Sequence, residues 1–281
     1  MRHAYLIIAH DEFDVLRLLL KCLDDECNDI YVHIDKKVKL IPELHTIKSC
    51  LTIIDKRKNV HWGNVSQIET ELLLFDVAYK KGPYDFYHLI SGTHLPLKNI
   101  DEINAFYTQY SGECIFSNLM KRDGDYQEIL KMHRINVCTS GYASSNMFVS
   151  GASRFLWKSC IAVQRWLNFT VNNGIQFYWA NNWCSLSQNA VEYLLSIKKK
   201  IRRRYRWSFC GDEWFVPTEL MDSVLKDEVI DSKHLLYGSI GRSNAPVLTM
   251  DNACGIKDSD CCFGRKFTSD SKELIAFLNI N

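Results

Sequence analysis

The sequence predicts an α/β fold, a mostly parallel sheet with helices on both faces, and three observations predict it. Short apolar runs of strand length alternate with segments of helical periodicity through the first hundred residues. The first run, residues 4 to 9, is continuously apolar, as a strand buried on both faces must be. Polar residues that could meet a ligand stand just past the ends of the runs, where open α/β sheets bind their ligands.

Taken in order, residues 4 to 9 read Ala-Tyr-Leu-Ile-Ile-Ala and predict a strand closed by His10-Asp11-Glu12. Leu16, Leu19, Leu20 and Leu23 then recur at helical spacing, with Asp11 predicted as the N-cap and Asp14 three residues on in a capping-box position. A second strand, Ile30 to Ile34, ends on Asp35, and a third, Leu51 to Ile54, ends on Asp55. After Trp62-Gly63, a helix over 65–79 keeps Ile68, Leu72, Phe75 and Tyr79 on one face. Asp85 to Ile90 is the next strand, closed by Ser91-Gly92-Thr93-His94-Leu95-Pro96. Beyond about residue 120 polar loops separate shorter periodic pieces, with a clear helix over 187–199. No repeat or low-complexity linker divides the chain. The expected organisation is a single domain over 1–281, with a donor-binding half over 1–120 and an acceptor-binding and catalytic half over 121–281.

Composition narrows the function classes. The chain has 281 residues, 47% hydrophobic and 24% charged, with a formal net charge of +1, which excludes a disordered chain and a mini-protein scaffold. No apolar run approaches the roughly 18 to 20 residues that span a bilayer, so the expected location is cytoplasmic, with a peripheral position on the inner face of a membrane as an extension. The eleven cysteines are scattered without a CxxC pair. They read as reduced thiols, many of them buried as small hydrophobes, rather than as a disulfide framework or a zinc site.

Charge is unevenly placed. Seven of the nine residues from Lys198 to Arg206 are basic, which leaves the rest of the chain acidic. A solvated helix end explains such a run; an anionic membrane surface or an acidic acceptor is the functional alternative, and nucleic acid comes last because no binding motif accompanies it. No GxGxxG or P-loop glycine pattern is present. The triplets Asp123-Gly124-Asp125 and Asp258-Ser259-Asp260 could hold a divalent cation against a diphosphate, but surface loops explain them better. In Gly211-Asp212-Glu213-Trp214-Phe215 two acids stand at the start of a short helix. Capping would explain Asp212, and apolar neighbours would make Glu213 a better proton acceptor. Arg242 and Arg265-Lys266 are cations embedded among small or aromatic residues and suit phosphate oxygens.

Together these pieces resemble the core-2/I-branching β-1,6-N-acetylglucosaminyltransferases, family 14 of the glycosyltransferases, which also includes the peptide-O-xylosyltransferases, and the match looks closest to short bacterial members. The resemblance runs through Ala4 to His10, Tyr31 to Lys37, Trp62-Gly63 with Ser66, Tyr87 to Gly92 leading to Leu95-Pro96-Leu97-Lys98, Asn182 to Ser187, Asp212-Glu213 and Phe263 to Phe267. It implies a GT-A-like fold with a Rossmann-type mixed sheet, a UDP-sugar donor, inversion at the anomeric carbon, and no metal cofactor. Glu213 falls on the family's general base, and Lys266 with Arg242 on its diphosphate-binding cations, with Arg265 beside them. His10, Asp35, Ser91, Gly92 and His94 would line the donor site. Trp183, Asp212, Arg134 and Tyr237 would meet the acceptor. Many relatives carry an acid where this chain has His94.

The expected reaction is transfer of a sugar, GlcNAc first among candidates, to a hydroxyl of a glycan or lipid-linked oligosaccharide during surface polysaccharide or glycoconjugate synthesis. UDP-xylose, UDP-galactose and UDP-glucose are alternative donors. Two rival readings are a metal-dependent transferase using Asp123 and Asp125 and a non-catalytic glycan- or nucleotide-binding relative. Trp157, Trp166, Trp179 and Trp207 could stack on sugar faces, although large aromatics more often fill a core.

Overall fold

β1 (His3–Ala9) is buried along its whole length. Ala4, Leu6 and Ile8 enter one core, while Tyr5, Ile7 and Ala9 enter the other. Strand side chains alternate faces, so an apolar run without a polar break is what enclosure on both sides demands. The computed structural model describes residues 1–238 and 245–280. After β1 come α1 (Phe13–Cys22), β2 (Asn28–Ile34), β3 (Cys50–Ile53), α2 (Ser66–Tyr79), β4 (Phe86–Ser91), β5 (Leu95–Pro96) and α3 (Ile100–Thr108). The chain continues through β6 (Cys114–Phe116), β7 (Met120–Lys121), α4 (Tyr126–Met132), α5 (Met147–Trp166), β8 (Tyr178–Trp179), β9 (Cys184–Leu186), α6 (Gln188–Ser196), α7 (Lys198–Tyr205) and α8 (Asp212–Met221). It closes with β10 (Val229–Asp231), β11 (Leu236–Tyr237), α9 (Ala253–Lys257), β12 (Phe263–Gly264) and α10 (Lys272–Phe277).

The main sheet has seven strands in the order β10-β6-β9-β4-β1-β2-β3. β4, β1, β2 and β3 are mutually parallel, and β9 runs antiparallel to both β4 and β6. The first core packs α2, α6 and α8 against one face through Leu72, Val191 and Trp214; the second packs α1, α3 and α10 against the other through Leu16, Ile103 and Leu274. This is the Rossmann-type mixed sheet with helices on both faces expected from the sequence. A smaller sheet, β11-β12-β5, brings the C-terminal region against the residues that follow β4.

The expected strands and the helix over 65–79 form within a residue or two of their expected bounds. Two details differ. α1 is not capped by Asp11: its N-cap is Glu12, in the left-handed region without a side-chain cap bond. The Glu12 carboxylate accepts instead from the Ser269 N–H at 2.8 Å, while Asp11 pairs with His10 at 3.3 Å. The helix expected over 187–199 is two helices that meet at Ile197. In α7, Lys200 and Arg204 reach the fully buried Glu219 of α8, Lys200 at 3.0 Å and Arg204 at 2.5 Å, and Lys198 pairs with Asp76 at 3.5 Å. Part of the basic run is therefore structural. None of the eleven cysteines is in a disulfide, and Cys114, Cys184, Cys210, Cys261 and Cys262 are buried. Among the described residues no helix is long and apolar enough to cross a membrane.

Inside the second core runs a line of polar side chains. His3 Nδ1 lies 2.9 Å from His88 Nε2, His88 Nδ1 lies 2.8 Å from Ser185 Oγ, and the Tyr107 hydroxyl lies 2.9 Å from the same Ser185 oxygen. Burial holds these imidazoles neutral: it pushes the pKa of His3 from 6.5 to about 4 and that of His88 well below 6.5. His33 is likewise pushed down to about 4 by burial. An imidazole with a lowered folded-state pKa binds fewer protons folded than unfolded, so its contribution is complete above the unfolded value and is lost as pH falls below it. The thermal midpoint is therefore expected to drop as pH is lowered from 6.5 towards 4, with a shallower drop in His88→Gln; equal slopes by differential scanning fluorimetry would exclude this origin for acid sensitivity.

Candidate active site

The parallel strands end level with one another. Asp35 N–H donates to Ala9 O and Gly92 N–H to Ile8 O, both at 2.9 Å, so β1, β2 and β4 deliver His10, Asp35 and Ser91 to His94 to one edge of the sheet. Gly92 has no room for a side chain, since a Cβ there would stand 2.8 Å from Ala9 Cβ. The Asp35 carboxylate accepts from Lys37 N–H at 2.8 Å and Val60 N–H at 3.2 Å, and the Lys37 ammonium lies 3.5 Å away. It pins the loops after β2 and β3. His10 is exposed beside Asp11.

His94 turns back beneath this edge. Its Nδ1 accepts from the Ser91 N–H at 3.0 Å and lies 2.8 Å from the Ser91 hydroxyl. Burial, with the nearby Arg265 charge, holds the imidazole well below its usual pKa. With Nδ1 accepting, the proton of the neutral ring sits on Nε2, which is buried without a partner. His94, Trp183, Tyr107 and Ser185 line a void of about 10 Å³.

α8 supplies the carboxylates. Asp212 and Glu213 occupy its first turn, where the helix dipole favours negative charge. The approach to α8 is fixed by Cys210 N–H donating to Gly63 O at 3.0 Å. Gly63 has φ +70°, and a Cβ on it would meet the Phe209 ring at 2.6 Å, so glycine is required on both counts. Trp214 and Phe215 turn wholly into the core. They do not surround the Glu213 carboxylate, as the bare sequence would suggest. Instead Glu213 Oε2 accepts from Trp179 Nε1–H at 2.9 Å and lies 3.7 Å from the Lys131 ammonium. The Glu213 side chain is 34% exposed, and no described residue bonds its Oε1.

A second layer of acids lies behind Glu213. One Asp212 oxygen is sealed from solvent without a hydrogen bond, and burial followed by the Glu213 charge raises its pKa to about 7. Deeper still, Glu71 of α2 accepts from Asn182 Nδ2 and Gln67 Nε2, each at 2.9 Å. Burial, reinforced by Asp212, raises its pKa well above 4.5. Gly211 is the N-cap of α8, so Asp212 is not held there as a cap.

Cations arrive from the C-terminal region. β12 pairs antiparallel with β5 and brings Gly264 opposite Leu95, next to His94. Arg265 N–H donates to Tyr237 O at 3.0 Å, and its guanidinium stands 5.1 Å from the Trp183 ring centroid. Its pKa is drawn down by burial, which the Glu213 charge opposes. Lys266 is fixed through its carbonyl, which accepts from Leu248 N–H at 2.8 Å, and its half-buried side chain makes no ion pair among the described residues.

The structure thus links Ser91, His94, Trp183 and Arg265 through direct contacts, with Glu213 and Asp212 acting electrostatically on Arg265 and on each other, while Lys266 follows Arg265 in sequence without a side-chain contact to them among the described residues. It does not gather Arg134, which donates to Phe169 O on the far side of α4, nor Tyr237, whose hydroxyl packs on Gly255. His10 and Asp35 reach the edge without contacting the cluster. Arg242 lies outside the described residues. The Asp-x-Asp triplets are occupied with local contacts: Asp123 with Lys121 at 3.3 Å, Asp125 with Arg122 at 2.7 Å and the α4 amides, and Asp260 with Lys98 at 3.6 Å. Among the described residues no three His, Cys, Asp or Glu side chains converge as a metal-binding group.

The family model of the core-2/I-branching enzymes matches residues 3–246. The chain belongs to that family. As a core-2/I-branching enzyme it is a glycosyltransferase, and the family implies a nucleotide-sugar donor and a glycan acceptor. No curated protein sequence matches the chain. Among solved structures, mouse xyloside xylosyltransferase 1 in its apo form is similar over 96% of this chain and 98% of its own, at 9% identity and a TM-score of 0.41, too distant for further inference.

Lys131 and Glu71 were not singled out by sequence reasoning, and Asn182 entered only as the start of a motif, without a role. Glu71 left a trace: it lies on the apolar stripe of Ile68, Leu72 and Phe75, where a charge is out of place. Lys131 left none. A carboxyl whose folded pKa is raised binds more protons folded than unfolded and destabilises the fold as pH climbs from its unfolded value towards the raised one. Between pH 5 and 8, Asp212→Asn is therefore expected to gain thermal midpoint relative to wild type; a constant difference across that range would mean Asp212 titrates normally.

Proposed function

We propose that the protein is an inverting glycosyltransferase that moves a sugar from a UDP-sugar to a hydroxyl of a glycan or lipid-linked oligosaccharide, with Glu213 as general base and Arg265 and Lys266 as the diphosphate-binding cations. One observation carries the reading. The Trp179 indole N–H and the Lys131 ammonium both approach Oε2, no described residue bonds Oε1 of this part-exposed carboxylate, and Arg265 is near enough to feel its charge. A base needs a free lone pair aimed at substrate and a fixed orientation, and Trp179 and Lys131 supply the second without consuming the first.

The acceptor hydroxyl gives its proton to Oε1 as its oxygen attacks the anomeric carbon from the face opposite the diphosphate. The bond to the diphosphate breaks as the new glycosidic bond forms, and the configuration inverts. Negative charge grows on the departing UDP, where Arg265 and Lys266 meet it. These cations take the place a divalent metal fills in other transferases, and the local ion pairs of Asp123, Asp125 and Asp260 favour that assignment over an Asp-x-Asp metal site. Raised pKa values on Asp212 and Glu71 limit the negative charge packed behind the base. UDP-GlcNAc is the first donor to test, followed by UDP-xylose, UDP-galactose and UDP-glucose. The donor is assigned to the 1–120 side of the cleft and the acceptor to the 121–281 side.

Loss of a positioned base costs about 10² to 10⁴ in rate. Glu213→Gln is expected to lose that much kcat while binding UDP as wild type does, and wild-type turnover would place the base elsewhere. Lys266→Ala is expected to weaken UDP binding measured by calorimetry in EDTA, with the wild-type isotherm unchanged by Mn²⁺. A requirement for Mn²⁺ would return the diphosphate to an Asp-x-Asp triplet.

A further inference from the structure

α5 is oriented against the usual pattern of a surface helix, in which the apolar stripe faces the core. Its inward residues are Ser150, Ser153, Trp157, Ile161 and Gln164, and most are held by hydrogen bonds. Ser150 Oγ donates to Tyr142 O at 3.0 Å, Trp157 Nε1 to Asn136 Oδ1 at 2.7 Å, and Gln164 Nε2 to Ile135 O at 2.8 Å. The outward side carries the larger apolar groups. Phe148, Phe155 and Trp166 are 85%, 70% and 84% exposed; at seven and eighteen residues from the first they fall on one meridian of an α-helix. Leu156 and Val163 widen the stripe, and Met147 and Leu167 extend it at the two ends. A groove of about 220 Å³ between α4 and α5, with Tyr126, Ile129, Ile161 and Arg165 in its wall, continues the apolar surface.

Charge on this helix has one sign. Arg154, Lys158 and Arg165 run along one flank of the apolar stripe, all exposed, and residues 147–167 contain no Asp or Glu. α7 adds Lys199, Arg202, Arg203 and Arg206, which are also exposed. The two elements are joined at one corner: Asn136 N–H donates to Trp207 O at 2.9 Å, while Asn136 Oδ1 holds Trp157 of α5. Phe209 packs on Trp157 with ring centroids 5.5 Å apart.

We propose that the outward face of α5 is a docking surface for an anionic bilayer, to which the exposed cations of α7 add long-range attraction. An apolar stripe flanked by lysine and arginine is the pattern of a helix lying in the membrane interface, its aromatic side chains in the headgroup and acyl boundary and its cations against acidic lipids. A second copy of the chain is the poorer occupant, because pairing two α5 faces would bring like charges together with no acid on the helix to offset them. The surface is separate from the cleft of Glu213, so this inference stands whether or not Glu213 is the base.

The test is flotation of the full chain with vesicles of phosphatidylcholine alone and of phosphatidylcholine with phosphatidylglycerol. Wild type is expected to float with the anionic vesicles, less so at high salt, and at most weakly with the neutral ones. The combined variant Phe148→Ser, Phe155→Ser, Trp166→Ser is expected to bind anionic vesicles at least about tenfold more weakly, with its circular dichroism and UDP binding unchanged. The pair Arg202→Glu, Arg203→Glu is expected to weaken binding to the anionic vesicles in the same way. Wild type that floats with neither vesicle, or a serine variant that binds as wild type does, would overturn the proposal. So would light scattering that shows a dimer made monomeric by the serine substitutions, without vesicle binding, since that would make a second copy the occupant.

Discussion

Enclosure of β1 on both faces is the constraint from which the site's position follows. A strand with no exposed face must have partners on either side and helices above and below, and the apolar identity of residues 4 to 9 leaves no other arrangement. Its last carbonyls are then claimed by the neighbouring chain at Asp35 and Gly92. Both neighbours must turn at that level. The polar residues beyond the strands emerge on one edge because backbone pairing stops there on both sides of β1, and the close contact between Gly92 and Ala9 keeps that edge tight.

The acids of the site are held by two opposite devices. Glu213 is oriented by an indole N–H and an ammonium that both take one oxygen, so the other faces the cleft. Asp212 and Glu71 are enclosed without a cation, and burial moves their titration upward. Glu219, in the same helix as Glu213, shows the contrasting solution: it is fully buried but met by Lys200 and Arg204. α8 therefore carries a doubly compensated acid in its interior turn and, in Asp212, one without an ion pair at its start. Natural folds concentrate such costs at working sites, where a charge neutralised for stability would be unable to act.

The parallel half of the sheet was legible because its signals are local: apolar runs of strand length, a helix with one apolar face, and polar residues at strand ends. Glu213, Arg265 and Lys266 were singled out through motif and chemistry, and Glu213 lies near enough to Arg265 to act on its charge. What escaped was set by tertiary contact. Asp11 is a good capping residue by type, but the C-terminal region takes the neighbouring Glu12 and the helix begins differently. Arg134 looks like a binding residue in sequence, while only packing shows that it serves the Phe169 carbonyl and that Lys131, one turn earlier, reaches Glu213. Asp35 sits at a strand end as foreseen, yet its oxygens are spent on the Lys37 and Val60 amides.

The small sheet has a consequence for the order in which the site comes into being. β12 lies between β5 and β11, Phe267 N–H donates to Thr93 O, and Ser269 N–H reaches back to Glu12 across 257 residues of sequence. The strands of the parallel half and α8 all precede that stretch in the sequence. Contacts of such separation carry the largest loop-closure cost and form slowly. The pairing of β12 with β5, which sets Arg265 beside Trp183, thus carries a larger closure cost than the pairing of β1 with β2 or β4 and is expected to form after them.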